Sequence, residues 1–136
     1  MRASAVSRAG AESGNPAHDA YLRKIGAVHI DMVIANLYPF AAMSRKGIEE
    51  ARGHMDIGGV TMTYAAAKNF LKVAVVTDRK DYAKIAAALA KQKGMLPLGM
   101  RAALAKKGLR HVSSYLGGID RYFGKLKEAD IRGAYL

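Results

Sequence analysis

The chain reads as an α/β domain built on a parallel sheet. Three observations predict this. Two apolar runs rich in β-branched residues, at 30–35 and 73–77, are each followed by a helix-patterned stretch. The second run, Val73-Ala74-Val75-Val76-Thr77, is unbroken and apolar, as in a parallel strand covered on both faces. Helix and strand patterns alternate along the chain, which implies crossover connections.

The elements follow in order. Residues 1–14 are small and polar without periodicity, and are expected to form a flexible N-terminus. Asn15-Pro16 is a helix start, with Asn as cap and Pro in the first turn. Ala17, Ala20, Tyr21 and Ile25 continue it to a stop at Gly26. Residues 30–35 are expected to form a buried strand, ended by Pro39. The stretch 41–55 is mixed, with a short helix at 48–52. Residues 61–69 are alanine-rich and helical. After the 73–77 strand, Asp78 or Asp81 caps a helix to residue 93, with Tyr82, Ile85, Ala86 and Leu89 at helical spacing and Gly94 as its end. Residues 98–123 carry a long helical pattern through Met100, Leu104, Leu109, Val112, Tyr115, Leu116, Ile119 and Tyr122. Gly108 and Gly117-Gly118 are expected to weaken it or split it in two. A charged tail fills 124–136. The domain proper is therefore 15–123. Two strands are too few for a well-covered sheet, so the chain is expected to pair with another copy or with a complementary N-terminal half.

Composition narrows the class. At 136 residues, 51% of them hydrophobic, one ordered domain is expected. The absence of cysteine excludes disulfides and thiolate metal sites. No apolar run approaches the roughly 20 residues of a membrane span, and the start lacks a secretory pattern, so a cytoplasmic protein is expected. The net charge of +11 admits a solvated basic surface, a field for small anions, or nucleic-acid binding. The cations are spread out, closest at Arg79-Lys80, Lys106-Lys107 and Lys91 to Lys93, and aromatics do not interleave with them. Nucleic acid is therefore the least favoured of the three. His18, His29 and His54 lack metal-ligand spacing, and no metal is expected. His111 reads as a satisfied structural histidine, and Tyr21, Tyr82, Tyr115 and Tyr122 as core.

Two motifs look like a ligand site. Asn36-Leu37-Tyr38-Pro39-Phe40 (NLYPF) carries a strand into a loop. Asp56-Ile57-Gly58-Gly59-Val60-Thr61-Met62 (DIGGVTM) opens a helix that closes on Ala65-Ala66-Ala67-Lys68-Asn69 (AAAKN). A strand end facing a helix N-terminus suits a phosphorylated ligand. Asp56 also reads as a plain helix cap, Tyr38 as half-buried packing, and Lys68 as a solvated helix lysine.

These motifs resemble the IMP cyclohydrolase domain of the bifunctional purine-synthesis enzyme that also carries an AICAR transformylase. The resemblance is an ordered series: Asn15-Pro16-Ala17-His18, the run from Ile30 to Phe40, DIGGVTM, AAAKN, Val73 to Val76, Asp81-Tyr82, then Arg101, His111 and Tyr115. It covers about residues 14–123. It implies the C-terminal part of a methylglyoxal-synthase-like parallel-sheet domain with a long C-terminal helical segment. The implied reaction closes the purine ring of formyl-AICAR to IMP with loss of water, without a cofactor. The implied partners are that purine nucleotide and either a homodimer mate or a complementary N-terminal half.

The resemblance makes Asp56, Lys68 and Tyr38 catalytic and Asn36, Ile57, Gly58 and Gly59 substrate-binding. Asp56 would bond the substrate amide or shuttle its proton, Tyr38 would donate to the formyl or amide oxygen, and Lys68 would stabilise oxyanion charge. Twelve residues separate Asp56 from Lys68, about 18 Å if all are helical. The family's Ser-Thr-Gly phosphate loop, its Lys-Thr-Leu-His-Pro motif and its transformylase half find no match, so the domain is expected to be N-terminally shortened. Tyr64, Val112 and Leu116 stand where the family has arginine, threonine and aspartate. A non-catalytic remnant acting as a binding or assembly module is the alternative.

Overall fold

Asn15 caps the first helix, α1 (Pro16–Lys24), accepting from the amides of Ala17 at 3.1 Å and His18 at 3.4 Å. A computed structural model describes residues 15–135, and the flexible N-terminus expected at 1–14 lies outside them. Gly26 ends the α1 segment at φ +64°, a conformation that favours glycine. His29 Nε2 lies 2.6 Å from Asp19 Oδ1 and ties the following loop back to α1. Leu22 is the one buried residue of this helix. Tyr21, expected in the core, is 54% exposed, because α1 buries only the face that carries Leu22.

Strands β1 (Met32–Ile34) and β2 (Ala74–Val76) pair in parallel, with Met32 opposite Ala74 and Ile34 opposite Val76. Among the described residues this is a two-stranded sheet. The α/β class expected from the alternating pattern is present, in a mostly helical chain. β2 is buried along its whole length, and its alternating side chains serve two core layers. Val73 and Val75 pack with Ala66, Ala67 and Ala105, while Ala74 and Val76 pack with Ile85, Leu96 and Leu104. β1 departs from expectation: it is only partly buried, and Ile34 is 56% exposed. β2 packs against both the helix Ile57–Lys68 and the helix Leu98–Phe123, whereas β1 packs chiefly against the first of them.

Between the strands run α2 (Phe40–Met43), a single 3-10 turn (Ser44–Lys46), α3 (Ile48–Gly53) and α4 (Ile57–Lys68). Asp56 caps α4, so this helix starts four residues ahead of the expected 61. Ala66 and Ala67 of AAAKN are buried against β2, which makes that motif largely a packing element. After β2, Asp78 accepts from the Lys80 amide at 2.9 Å, and α5 (Tyr82–Lys91) follows. Ile85 is buried on α5, but Tyr82 and Ala86 are exposed, so the inward stripe is narrower than the spacing suggested.

The long helix α6 (Leu98–Phe123) runs unbroken through all three glycines that were expected to weaken it. Gly108 has a packing reason. A Cβ there would stand 3.2 Å from Val75 Cγ1, so glycine lets α6 cross close over β2. Arg101 donates to the carbonyls of Phe70, Leu71 and Leu96 at 3.2, 2.9 and 2.8 Å, satisfying loop oxygens that flank β2 and α6. The charged tail forms α7 (Glu128–Tyr135), which lies against α3.

Candidate functional site

β1 delivers its chain to the site. The Ala35 amide still donates to Val76 O at 2.9 Å, one residue beyond β1, and the chain then leaves the sheet through Asn36 to Pro39. The N-terminus of α4 arrives beside it. Between them lies an open hollow of about 480 Å³, lined by Asn36, Tyr38, Asp56, Ile57, Gly58 and Gly59, with Ile34, Met55 and Met62 as apolar wall. Six of the seven sequence-nominated residues therefore share one hollow.

Asp56 organises its mouth. Its Oδ1 accepts from the Gly59 amide at 2.6 Å, which is the α4 cap, and its Oδ2 receives the Tyr38 amide at 3.4 Å. The carboxylate thus holds both motifs together. Gly59 must be glycine for this: a Cβ there would stand 2.5 Å from Asp56 Oδ2 and 2.8 Å from Leu37 Cδ2. Gly58 has open space around its Cβ position. The amides of Ile57 and Gly58, in the first turn, have no intrahelical acceptor and sit at the positive end of the helix dipole. The hollow thus offers N–H donors, one carboxylate and a half-exposed tyrosine to a polar ligand.

Lys68 is not brought to this hollow. It is exposed in the last turn of α4, roughly 18 Å along the helix from Asp56. His111 is exposed on α6 and makes no hydrogen bond among the described residues, in contrast to the structural role expected of it. Tyr115, read as core, is half-buried and does more than pack. It accepts from the Asp56 amide at 2.8 Å and donates to His54 O at 2.9 Å. His54 in turn meets the Tyr38 ring edge-on at 6.3 Å between centroids. The apolar spacing of α6 concealed this use of the Tyr115 hydroxyl. Among the described residues no group of three His, Cys, Asp or Glu could hold a metal, and no helix is long and apolar enough to cross a membrane.

Residues 66–135 match the model of the family described as the AICARFT/IMPCHase bienzyme. The chain belongs to this family. Among AICARFT/IMPCHase relatives, the bifunctional purine biosynthesis protein PurH of Neisseria gonorrhoeae is 40% identical over 119 residues, covering 85% of this chain and 23% of the relative. The PurH protein of Mesorhizobium japonicum is 39% identical over 118 residues, covering 85% of this chain and 22% of the relative. The chain thus spans less than a quarter of the length of these relatives. The crystal structure of ForH superposes with a TM-score of 0.70 at 26% identity, covering 88% of this chain and 64% of ForH.

Proposed function

We propose that this AICARFT/IMPCHase chain is an IMP cyclohydrolase-like domain of purine biosynthesis, comprising residues 15–123 of a methylglyoxal-synthase-like sheet domain. The observation that carries the reading is the single hollow shared by Tyr38, Asn36 and the Asp56-Ile57-Gly58-Gly59 helix entrance. In this reading formyl-AICAR enters with its carboxamide and formyl groups at Asp56 and Tyr38. The carboxamide nitrogen attacks the formyl carbon, a C–N bond forms, and the former formyl oxygen leaves as water. Asp56 accepts one carboxamide proton while the Tyr38 hydroxyl donates to the formyl oxygen. Asp56 then returns its proton to the resulting hydroxyl as it leaves as water, and the formamide N–H proton restores Tyr38 as the ring C=N bond forms. The first-turn amides of α4 bind substrate oxygens. No oxidation state changes, so the chemistry needs no redox cofactor. Lys68 enters only from a neighbouring copy, because it lies a helix length from the hollow.

The test is turnover of formyl-AICAR to IMP by the purified chain and by Asp56→Asn. Asparagine retains a good helix cap, so the fold survives while the base is lost. The expected loss is on the order of a hundredfold in kcat. Undiminished turnover in the variant removes Asp56 from the chemistry, and an inactive parent removes the catalytic reading.

One observation favours a second reading, a non-catalytic module that assembles with another copy or a complementary half. Ile34 of β1 is 56% exposed and Ile57, which lines the same hollow, is 79% exposed, a combination that a covering partner would bury. Sedimentation of the purified chain, alone and with PurH segments, tests that reading through a change in mass.

A further inference from the structure

A second hollow, of about 300 Å³, lies between α2 and α6 and takes no part in the proposed chemistry. Phe40 and Tyr115 form its aromatic wall, and His111, Ser114, Gly118 and Arg121 face it from α6. The α6 positions recur at 3-4-3 spacing, so they share one stripe of the helix. Arg121 leans back along that stripe. Its Nη1 lies only 3.4 Å from where a Cβ of Gly117 would stand, one turn toward Ser114. Among the described residues, none of His111, Ser114 and Arg121 has a hydrogen-bond or ion-pair partner, and no carboxylate lines the hollow.

We infer that this hollow binds a phosphate-sized anion, as free phosphate or a phosphate monoester. The Arg121 guanidinium fork and the Ser114 hydroxyl line this hollow over an apolar floor, with His111 further along α6, and these are donors from which a tetrahedral oxyanion accepts. The field of a chain carrying a net charge of +11 concentrates anions near it. Phe40 is buried and Tyr115 half-buried, so neither ring lies open as a stacking platform for a nucleic-acid strand.

The test is an NMR titration of the full chain with inorganic phosphate, then phenyl phosphate, against chloride at matched ionic strength. The expected result is saturable shifts confined to the amides around His111, Ser114, Gly118 and Arg121. Arg121→Gln weakens binding by roughly tenfold or more, the loss of a charge-assisted contact. Lys91→Gln makes the same charge change at the end of α5 and leaves the affinity unaltered. Gly118→Leu fills the hollow and abolishes binding; its Cβ meets nothing within 4 Å, and leucine favours the helix, so folding is retained. Equal weakening by Lys91→Gln, linear unsaturated shifts, or shifts centred on Asp56 would overturn the assignment. So would tighter binding of a single-stranded oligonucleotide than of phenyl phosphate. The proposed cyclohydrolase activity does not depend on this outcome.

Discussion

The Tyr115 hydroxyl lies 2.8 Å from the Asp56 backbone nitrogen, a residue 59 positions earlier in the chain. The same oxygen donates to His54 O at 2.9 Å, so one side chain of α6 satisfies two backbone groups of the loop entering α4. Phe40 holds the Tyr115 ring edge-on at 6.2 Å between centroids. The position of Asp56, and with it the mouth of the candidate site, is therefore set by a helix distant in sequence.

Tyr115→Phe removes that hydroxyl and leaves an amide and a carbonyl without their partner. A loss of about 1–2 kcal/mol is expected in urea denaturation, with unchanged far-UV circular dichroism. An unaltered midpoint would show that water replaces the hydroxyl at no cost.

The two glycines of DIGG respond differently. Gly59→Ala forces a methyl into Asp56 Oδ2 and Leu37, and is expected to cost about 1–3 kcal/mol as the cap is pushed aside. Gly58→Ala meets open space and is expected to be neutral or stabilising by up to about 1 kcal/mol. Thermal unfolding of both variants against the parent measures the contrast. Equal effects would contradict the close approach at position 59.

Lys107 Nζ lies 2.7 Å from both Asp78 Oδ2 and Asp81 Oδ2, joining α6 to the turn after β2. The hydrogen bond from Lys107, helped by the Lys80 amide, holds the Asp78 carboxyl below its ordinary 3.8. The bonds to Asp78 and then Asp81 raise Lys107 above its ordinary 10.5. The Asp78 contribution is thus complete above pH 3.8 and lost as pH falls through the lower folded value. The Lys107 contribution is complete below pH 10.5 and lost as pH rises through the higher folded value. Lys107→Gln is expected to flatten both limbs of the urea midpoint against pH. The cluster is partly exposed, so added salt is expected to shrink the difference between variant and parent.

Gly108→Ala sets helix propensity against packing. Alanine favours the helix, but its methyl would stand 3.2 Å from Val75 Cγ1, and Val75 is fully buried in β2 with no room to retreat. A net loss of about 1 kcal/mol is expected in equilibrium unfolding. A gain in stability would mean that β2 yields at this crossing.

Much of the domain was legible from residue order. Asn15 announced α1, the 73–77 run announced β2, and the spacing from Leu98 announced α6, because caps, apolar runs and helical periodicity act between near neighbours. The grouping of NLYPF with DIGG was legible from motif chemistry, since a strand end and a helix entrance are places where backbone donors are left free. Burial was less legible. Tyr21 and Ile34 lie in apolar patterns yet stay exposed, because a pattern marks what a segment offers to a core and not whether another element arrives to cover it.

Sequence alone marked the main helices, the two strands and the motifs nominated as a site, but not the helices at Phe40–Met43 and Glu128–Tyr135. The folded arrangement decided which of them meet. Asp56 reaches Tyr38 across 18 positions and Tyr115 across 59, while Lys68, nearer in sequence than Tyr115, ends a helix length away. The reason is that such meetings depend on the register of β1 against β2 and on how closely α6 crosses the sheet at Gly108. Those quantities arise from the summed packing of distant side chains, which no local window of residues contains.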